Sequence, residues 1–191
     1  MTAIKTKKQQ IYEAAARLFR DKGYPATSMR HLAEAVDLKA SSLYNHIGSK
    51  EDLLRDICFE NAHKFLTHLK TVSESDLSHL EKVKALIELH LTMATEELTS
   101  VTAFNDEWRH LSEPWLSDFV QLRKDYEKGF LKIIQEGIQA GEIQAADPQT
   151  LLYTLLSAMR WLYDWVKPDK PMATDSVKQE LAGFLVRGLV K

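Results

Sequence analysis

Lys39, Ala40, Ser41, Ser42, Tyr44, Asn45 and His46 form a short run of small or hydrogen-bonding side chains. Between and before them stand Leu32, Ala33, Val36, Leu38, Leu43 and Ile47, spaced so that one side of two short helices is apolar. A short helix with this outward face fits the major groove, where base edges show distinguishable donor and acceptor patterns. The chemistry is recognition, not bond making. A buried three-helix knot has much the same apolar spacing, so the pattern alone leaves DNA reading and mere packing both open.

A second set lies later in the chain: Trp108, Arg109, Arg123, Arg160, Trp161 and Trp165. Large aromatics bordered by arginines suit a long apolar tail with an anionic head. Trp161 and Trp165, four apart on one helical face, serve equally well as core or dimer packing. Each arginine also reads as an ordinary solvated charge. His63, His90 and His110 with Asp106 and Glu107 raise the question of a metal, but they lack the His-x₃-His and His-Glu-x-x-His spacings. They read as pocket or surface residues, and no metal is expected. Cys58 is the one cysteine, which excludes an internal disulfide framework and a multi-cysteine zinc site; beside Ile57 it reads as buried filler. With no Gly-rich phosphate loop and no nucleophile motif, neither an enzyme nor a cofactor is expected.

The elements that must position these residues follow from periodicity and punctuation. Ile11, Ala14, Ala15, Leu18 and Phe19 predict a helix over about 5–22, stopped by Gly23 as a left-handed residue. Pro25 interrupts, and Thr27 is expected to cap a second helix over 28–35. Asp37 tolerates the left-handed turn before a third helix over about 39–45. Gly48 ends it, and Ser49, with Asp52 three residues on, caps a fourth helix running to about 70. Thr71 to Asp76 reads as a loop. Further helices are predicted over 78–98, 101–111, 115–139, 149–166 and 176–189. Asp147-Pro148 opens one of them, and Lys167 to Asp175 reads as a loop. The fold class is all-α with about nine helices. A helix-turn-helix domain is expected over 1–52 and a larger helical domain over 53–191.

Charge divides along similar lines. Residues 1–55 carry ten Lys/Arg against six Asp/Glu, while the remaining 136 carry fifteen against twenty-one, so a basic head adjoins an acidic body under a net charge of −2. Apolar residues at 45% are enough to bury a core. The N-terminal lysines precede no apolar run, and no stretch approaches the roughly 20 apolar residues of a spanning helix. A cytoplasmic protein without a membrane partner is expected.

Residues 27–54, TSMRHLAEAVDLKASSLYNHIGSKEDLL, resemble the DNA-binding signature of the tetracycline-repressor (TetR) family. The preceding IYEAAARLFRDKGYPATS resembles that family's first helix and Gly-aromatic turn. The resemblance implies phosphate contacts from Thr27, Tyr44, His46 and Lys50. It implies base reading from Lys39, Ala40, Ser41 and Ser42, with Asn45 beside them. Asp37 stands where a Gly is common, Lys39 where a Ser or Thr cap is usual, and Ile47 where a Phe is usual. Lys39 puts a long cation at the mouth of the recognition helix, so the operator sequence does not carry over from relatives.

Residues 158–168, AMRWLYDWVKP, resemble family members that answer to acyl-coenzyme A thioesters, which carry a Trp-x-Tyr-x-Trp stretch followed by Pro; Trp161, Tyr163, Trp165 and Pro168 match it. FNDEWRHLSEP, residues 104–114, is similar to that group's charged-aromatic helix. The segments 149–166 and 176–189 are apolar on more than one face, so one side packs on the body and the other asks for a partner. Gly183 and Gly188 would allow close approach there. This fits a homodimer through those two helices. The expected partners are therefore a double-stranded DNA operator, a small-molecule effector and a second copy. The competing expectation is an all-helical adaptor whose helix-turn-helix serves only packing.

Overall fold

The computed structural model describes residues 5–165 and 175–190; among these it contains α-helices and a single 3₁₀ turn, with no strand. The helices are α1 Lys7–Lys22, α2 Met29–Ala35, α3 Ala40–Leu43, α4 Lys50–Ser73, α5 His79–Glu96, α6 Leu98–Asp106, α7 Trp115–Gln139, α8 Pro148–Trp165 and α9 Asp175–Arg187, with the 3₁₀ turn at Trp108–His110. The expected all-α class holds. The expected loop over Lys167 to Asp175 falls almost wholly outside the described residues.

Local chemistry explains where the helices begin. Thr6 caps α1 in a reciprocal pair with Gln9, the Gln9 N–H donating to Thr6 Oγ1 at 3.2 Å and the Thr6 N–H to Gln9 Oε1 at 2.8 Å. Ser78 and Glu81 make the same box at α5. Ser49 accepts from the Asp52 N–H at 3.0 Å, as its spacing predicts, and Asp147 accepts from the Thr150 N–H ahead of Pro148. Three details differ from expectation. Ser28, not Thr27, caps α2, paired with the His31 ring, because Thr27 turns its hydroxyl inward. Gly23 has φ 82° but ψ 153°, so the chain leaves α1 extended and not left-handed helical. Helix α4 continues through Thr71 to Ser73, into the stretch read as loop, because Val72 is buried and extends the helix's apolar face by one more turn.

The chain divides into two compact units, residues 1–62 with 99–120 and residues 63–98 with 121–191. This differs from a cut at residue 52: the segment 99–120 joins the N-terminal helices. In the first unit α1 packs on α2 and α2 on α3 around Ile11, Phe19, Leu32, Leu43 and Leu54, while Phe104 and Phe119 meet edge-on, ring centroids 5.5 Å apart. In the second unit α5 packs on α8 and α9 around Leu86, Leu91, Leu152, Leu155 and Ala182. Gly129 of α7 lies close to α4: a Cβ there would sit 2.6 Å from Leu69 Cδ2, so the Leu69 side chain would have to shift. At Gly183 and Gly188 the nearest groups to a Cβ, among the described residues, belong to α9 itself. Helices α4 and α7 are uninterrupted and supply residues to both units.

Candidate functional site

The turn joining α2 to α3 is closed by the chain's own backbone. The Val36 and Leu38 N–H groups donate to Ala33 O, at 3.2 and 2.9 Å, and Asp37 N–H to Glu34 O. Asp37 takes φ 54°, the left-handed value expected of it, which a short polar side chain tolerates. Leu32 and Leu43 are fully buried, and Ile47 nearly so. With that side anchored, Lys39, Ala40, Ser41, Tyr44, Asn45 and His46 are exposed and Ser42 half-exposed, so the row read from the sequence does face outward. Tyr44 is 56% exposed. The helix itself is one turn long, shorter than 39–45, because residues 44–46 continue as turn.

Two of the anticipated phosphate contacts sit differently. Thr27 is 1% exposed, and its hydroxyl donates to Gly23 O at 2.9 Å. Lys50 Nζ donates to the carbonyls of Tyr24 and Thr27, 2.8 Å each, and lies 4.0 Å over the Tyr24 ring. Both residues therefore position the α1–α2 turn. Lys50 has one N–H to spare for a phosphate; the Thr27 hydroxyl, turned to carbonyls, has its proton committed. Burial lowers the Lys50 pKa and raises that of Tyr24, to which the nearby Glu51 carboxylate adds. The segment after α6 grips the same turn: the His110 ring stacks on Tyr24 at 5.4 Å, and the Ser112 N–H donates to Glu51 Oε1 at 2.8 Å.

The residues proposed for a ligand are divided between the two compact units. Trp108 and Arg109 belong to the first unit, where the Arg109 guanidinium covers the Trp108 ring at 4.5 Å and that ring lies 5.8 Å from Phe119. Arg123, Arg160 and Trp161 belong to the second. Trp161 is 55% exposed, as Tyr153 of the same helix is to 53%. The Trp165 side chain and Pro168 lie outside the described residues.

Sequence reading missed the polar centre of the second unit. The Tyr126 hydroxyl lies 2.9 Å from His90 Nε2, the Tyr163 hydroxyl lies 3.3 Å from His90 Nδ1, and the His90 ring packs on Phe65 at 4.7 Å. Tyr163 came to notice as part of the Trp-x-Tyr-x-Trp stretch and His90 only as one of three histidines; nothing local points to Tyr126. Burial, with His68 nearby, lowers the His90 pKa to about 3, and burial raises both tyrosines.

This lowered pKa has a measurable consequence. Above the ordinary histidine pKa of about 6.5, His90 is neutral in folded and unfolded chains alike, and its contribution is fully present. Below it the unfolded chain takes a proton that the folded chain refuses, so stability is lost as pH falls from about 6.5 towards 3. At pH 5 the loss is about 2 kcal/mol, at about 1.4 kcal/mol per unit. Urea melts at pH 7 and pH 5 should show this difference in the wild type, and a much smaller one in His90→Gln. An equal pH response in both would refute the assignment.

Comparison with known proteins completes the picture. Residues 11–57 match the model described as bacterial regulatory proteins, tetR family, and residues 76–189 match that of the tetracyclin repressor-like C-terminal domain. The HTH-type transcriptional repressor KstR2 of Mycolicibacterium smegmatis is 25% identical over 188 residues, covering 97% of this chain and 92% of that protein. The ketosteroid transcriptional regulator KstR2 of Mycobacterium tuberculosis superposes with a TM-score of 0.90 at 21% identity, over 98% of this chain and 97% of that one, which speaks to the fold. AibR, solved with isovaleryl coenzyme A and operator DNA, superposes at 0.82 with 26% identity, over 96% of this chain and 98% of that one. With more than half of its length matched by the C-terminal model and its helix-turn-helix by the N-terminal one, this chain belongs to the tetracycline-repressor family of transcriptional regulators.

Proposed function

We propose that the protein is a dimeric repressor that holds a palindromic operator and lets it go on binding an acyl-coenzyme A thioester. The outward row Lys39 to His46, presented on a turn whose inner side is fully anchored, carries the DNA half of this reading. Two such rows on a symmetric dimer fit successive major grooves when about 34–36 Å apart. The ligand half draws on the isovaleryl coenzyme A bound by AibR and on three arginines. Arg109, Arg123 and Arg160 are the candidates for the phosphates of the nucleotide end.

Coupling has a physical route in α4. Its first turn holds the α1–α2 turn through Lys50, and the same uninterrupted helix supplies Phe65 and His68 to the second unit. A ligand that shifts the later turns strains the first. Operator and effector then oppose each other reciprocally, typically by 1–3 kcal/mol.

The test is a titration of operator-bound protein, followed by fluorescence anisotropy, with thioesters of graded chain length and the matching free acids. Thioesters should release the operator and free acids should not. Each charge-assisted phosphate contact contributes about 1.5–3 kcal/mol, so Arg160→Ala should raise the thioester concentration needed by roughly ten- to a hundredfold. Equal potency of acids and thioesters, or indifference to both, removes the coenzyme A reading.

A further inference from the structure

Two lysines are tied to backbone carbonyls at opposite ends of α2. Lys50 Nζ donates to Thr27 O just ahead of the helix, and Lys7 Nζ donates to Val36 O, at 3.2 Å, where it ends. Lys7 was not among the residues read from the sequence as DNA contacts. Its place depends on α1 packing beside α2, which brings together residues 29 apart in the chain. Thr27 and Val36 are separated by the length of α2, so by helical rise the two anchor points stand about 14 Å apart. The major groove of B-DNA is about 12 Å wide. The outward row of α3 begins at Lys39, soon after Val36, and Lys50 follows its end, so the two lysines bracket that row in the chain.

Tyr44, His46 and Lys50, the phosphate contacts that the family likeness implies for this region, all follow α3. A reading head is fixed in register by backbone contacts, and a groove has a phosphate wall on each side. Lys7 provides a cation at the other end of the row. An ammonium has three N–H groups; Val36 O takes one and two remain. The residue is half-buried, so its stem is packed while part of it still meets solvent.

The surrounding charges agree. The first turn of α1 holds no acidic residue, and Lys8 beside Lys7 is exposed. Cations at the amino end of a helix oppose its dipole, so these lysines do not serve the stability of α1. Lys5, by contrast, is paired with Glu13 at 2.7 Å. Asp37, standing where a Gly is common, brings an exposed carboxylate to the turn that follows Val36. The Lys7 ammonium, held on the carbonyl of the preceding residue, offsets the repulsion that carboxylate would offer a phosphate.

We propose that Lys7 is a second phosphate anchor of the reading head, meeting the operator strand across the groove from the one met by Lys50. This role rests on the DNA half of the proposed function and on nothing about the effector.

The test is operator affinity as a function of potassium chloride concentration, by fluorescence anisotropy with the full-length protein. The probes are a duplex that the wild type selects from a random-sequence pool, and an unrelated duplex. Each phosphate contact contributes about 0.9 to the slope of log affinity against log salt. Lys7→Gln should therefore lower the slope by about 0.9 and weaken binding roughly eightfold at about 0.1 M salt, on both duplexes alike. Lys7→Arg, which keeps the charge, should keep the slope. Lys22→Gln removes an exposed lysine about 22 Å away at the other end of α1 and should change neither. A lysine that only braces the turn would give weaker binding in Lys7→Gln at an unchanged slope, and that result overturns the proposal, as does an equal fall in Lys22→Gln. Single neutral methylphosphonates in the selected duplex give an independent reading. One position should cost the wild type affinity and cost Lys7→Gln nothing; its absence also overturns the proposal. Failure of the wild type to bind either duplex removes the DNA reading as well, whereas tight binding indifferent to Lys7 removes only this role.

Discussion

Phe184→Arg should turn the protein into a monomer and cut operator affinity by roughly a thousandfold or more. Phe184 of α9 is 68% exposed and Tyr153 of α8 53%, so among the described residues both helices turn aromatic area outward. A second copy is the proposed cover. In a two-fold contact each substitution appears twice, so two uncompensated cations enter a dry interface. The exposure of Phe184 makes it a better probe than its neighbour Leu185, which is half-buried within the protomer, so that changing it would confuse folding with assembly. A monomer offers one recognition helix where a dimer offers two, and losing half the contacts of a specific complex costs several powers of ten in affinity. Sedimentation velocity at micromolar concentration and operator anisotropy give the two readouts. A Phe184→Arg protein that stays dimeric and binds as before would place the interface elsewhere.

Leu43→Ala should lower stability by about 2–5 kcal/mol and abolish operator binding, the usual range for a buried leucine that leaves a cavity. Leu43 is the one fully buried side chain of α3, and a helix of one turn has no stability of its own. What holds the outward row in place is therefore Leu43, with Ile47 beyond it and the Leu38 N–H bonded to Ala33 O. Ser41→Ala, one position from the helix start and exposed, should change stability by no more than about 0.5 kcal/mol and alter only which sequence is preferred. Urea melts of the two variants side by side decide the matter. If Leu43→Ala melted like Ser41→Ala, the packing account of the reading head would fail.

Much of this arrangement is legible in the chain itself, because some signals act within a turn or two. Pro114 before and Gly141 after bracket α7, whose bounds, 115 to 139, are those its periodicity predicts; Gly141 indeed has φ 74°. Asp147-Pro148 starts α8, Ser49 with Asp52 starts α4, and Asp37 takes the left-handed turn. The outward row of α3 was readable for the same reason: alternation of Leu43 and Ile47 with polar neighbours needs only helical spacing.

Tertiary structure decided which distant side chains meet. His90 and Tyr126 are 36 residues apart and His90 and Tyr163 are 73 apart, so no local pattern marks them as one cluster. Lys50 looks like a surface cation by sequence, yet the carbonyls of Tyr24 and Thr27 lie within its reach only once α4 packs beside that turn. The tryptophans of the aromatic stretch could face core or solvent; the rotation of α8, set by Leu152, Leu155 and Met159 turning inward, puts Trp161 outside. Trp108 and Arg109 fold with the N-terminal helices and Arg160 with the second unit, a division that their chemistry alone does not announce. Periodicity depends on a residue's own helix, whereas partnership depends on how helices far apart in sequence are packed, and only folding settles that.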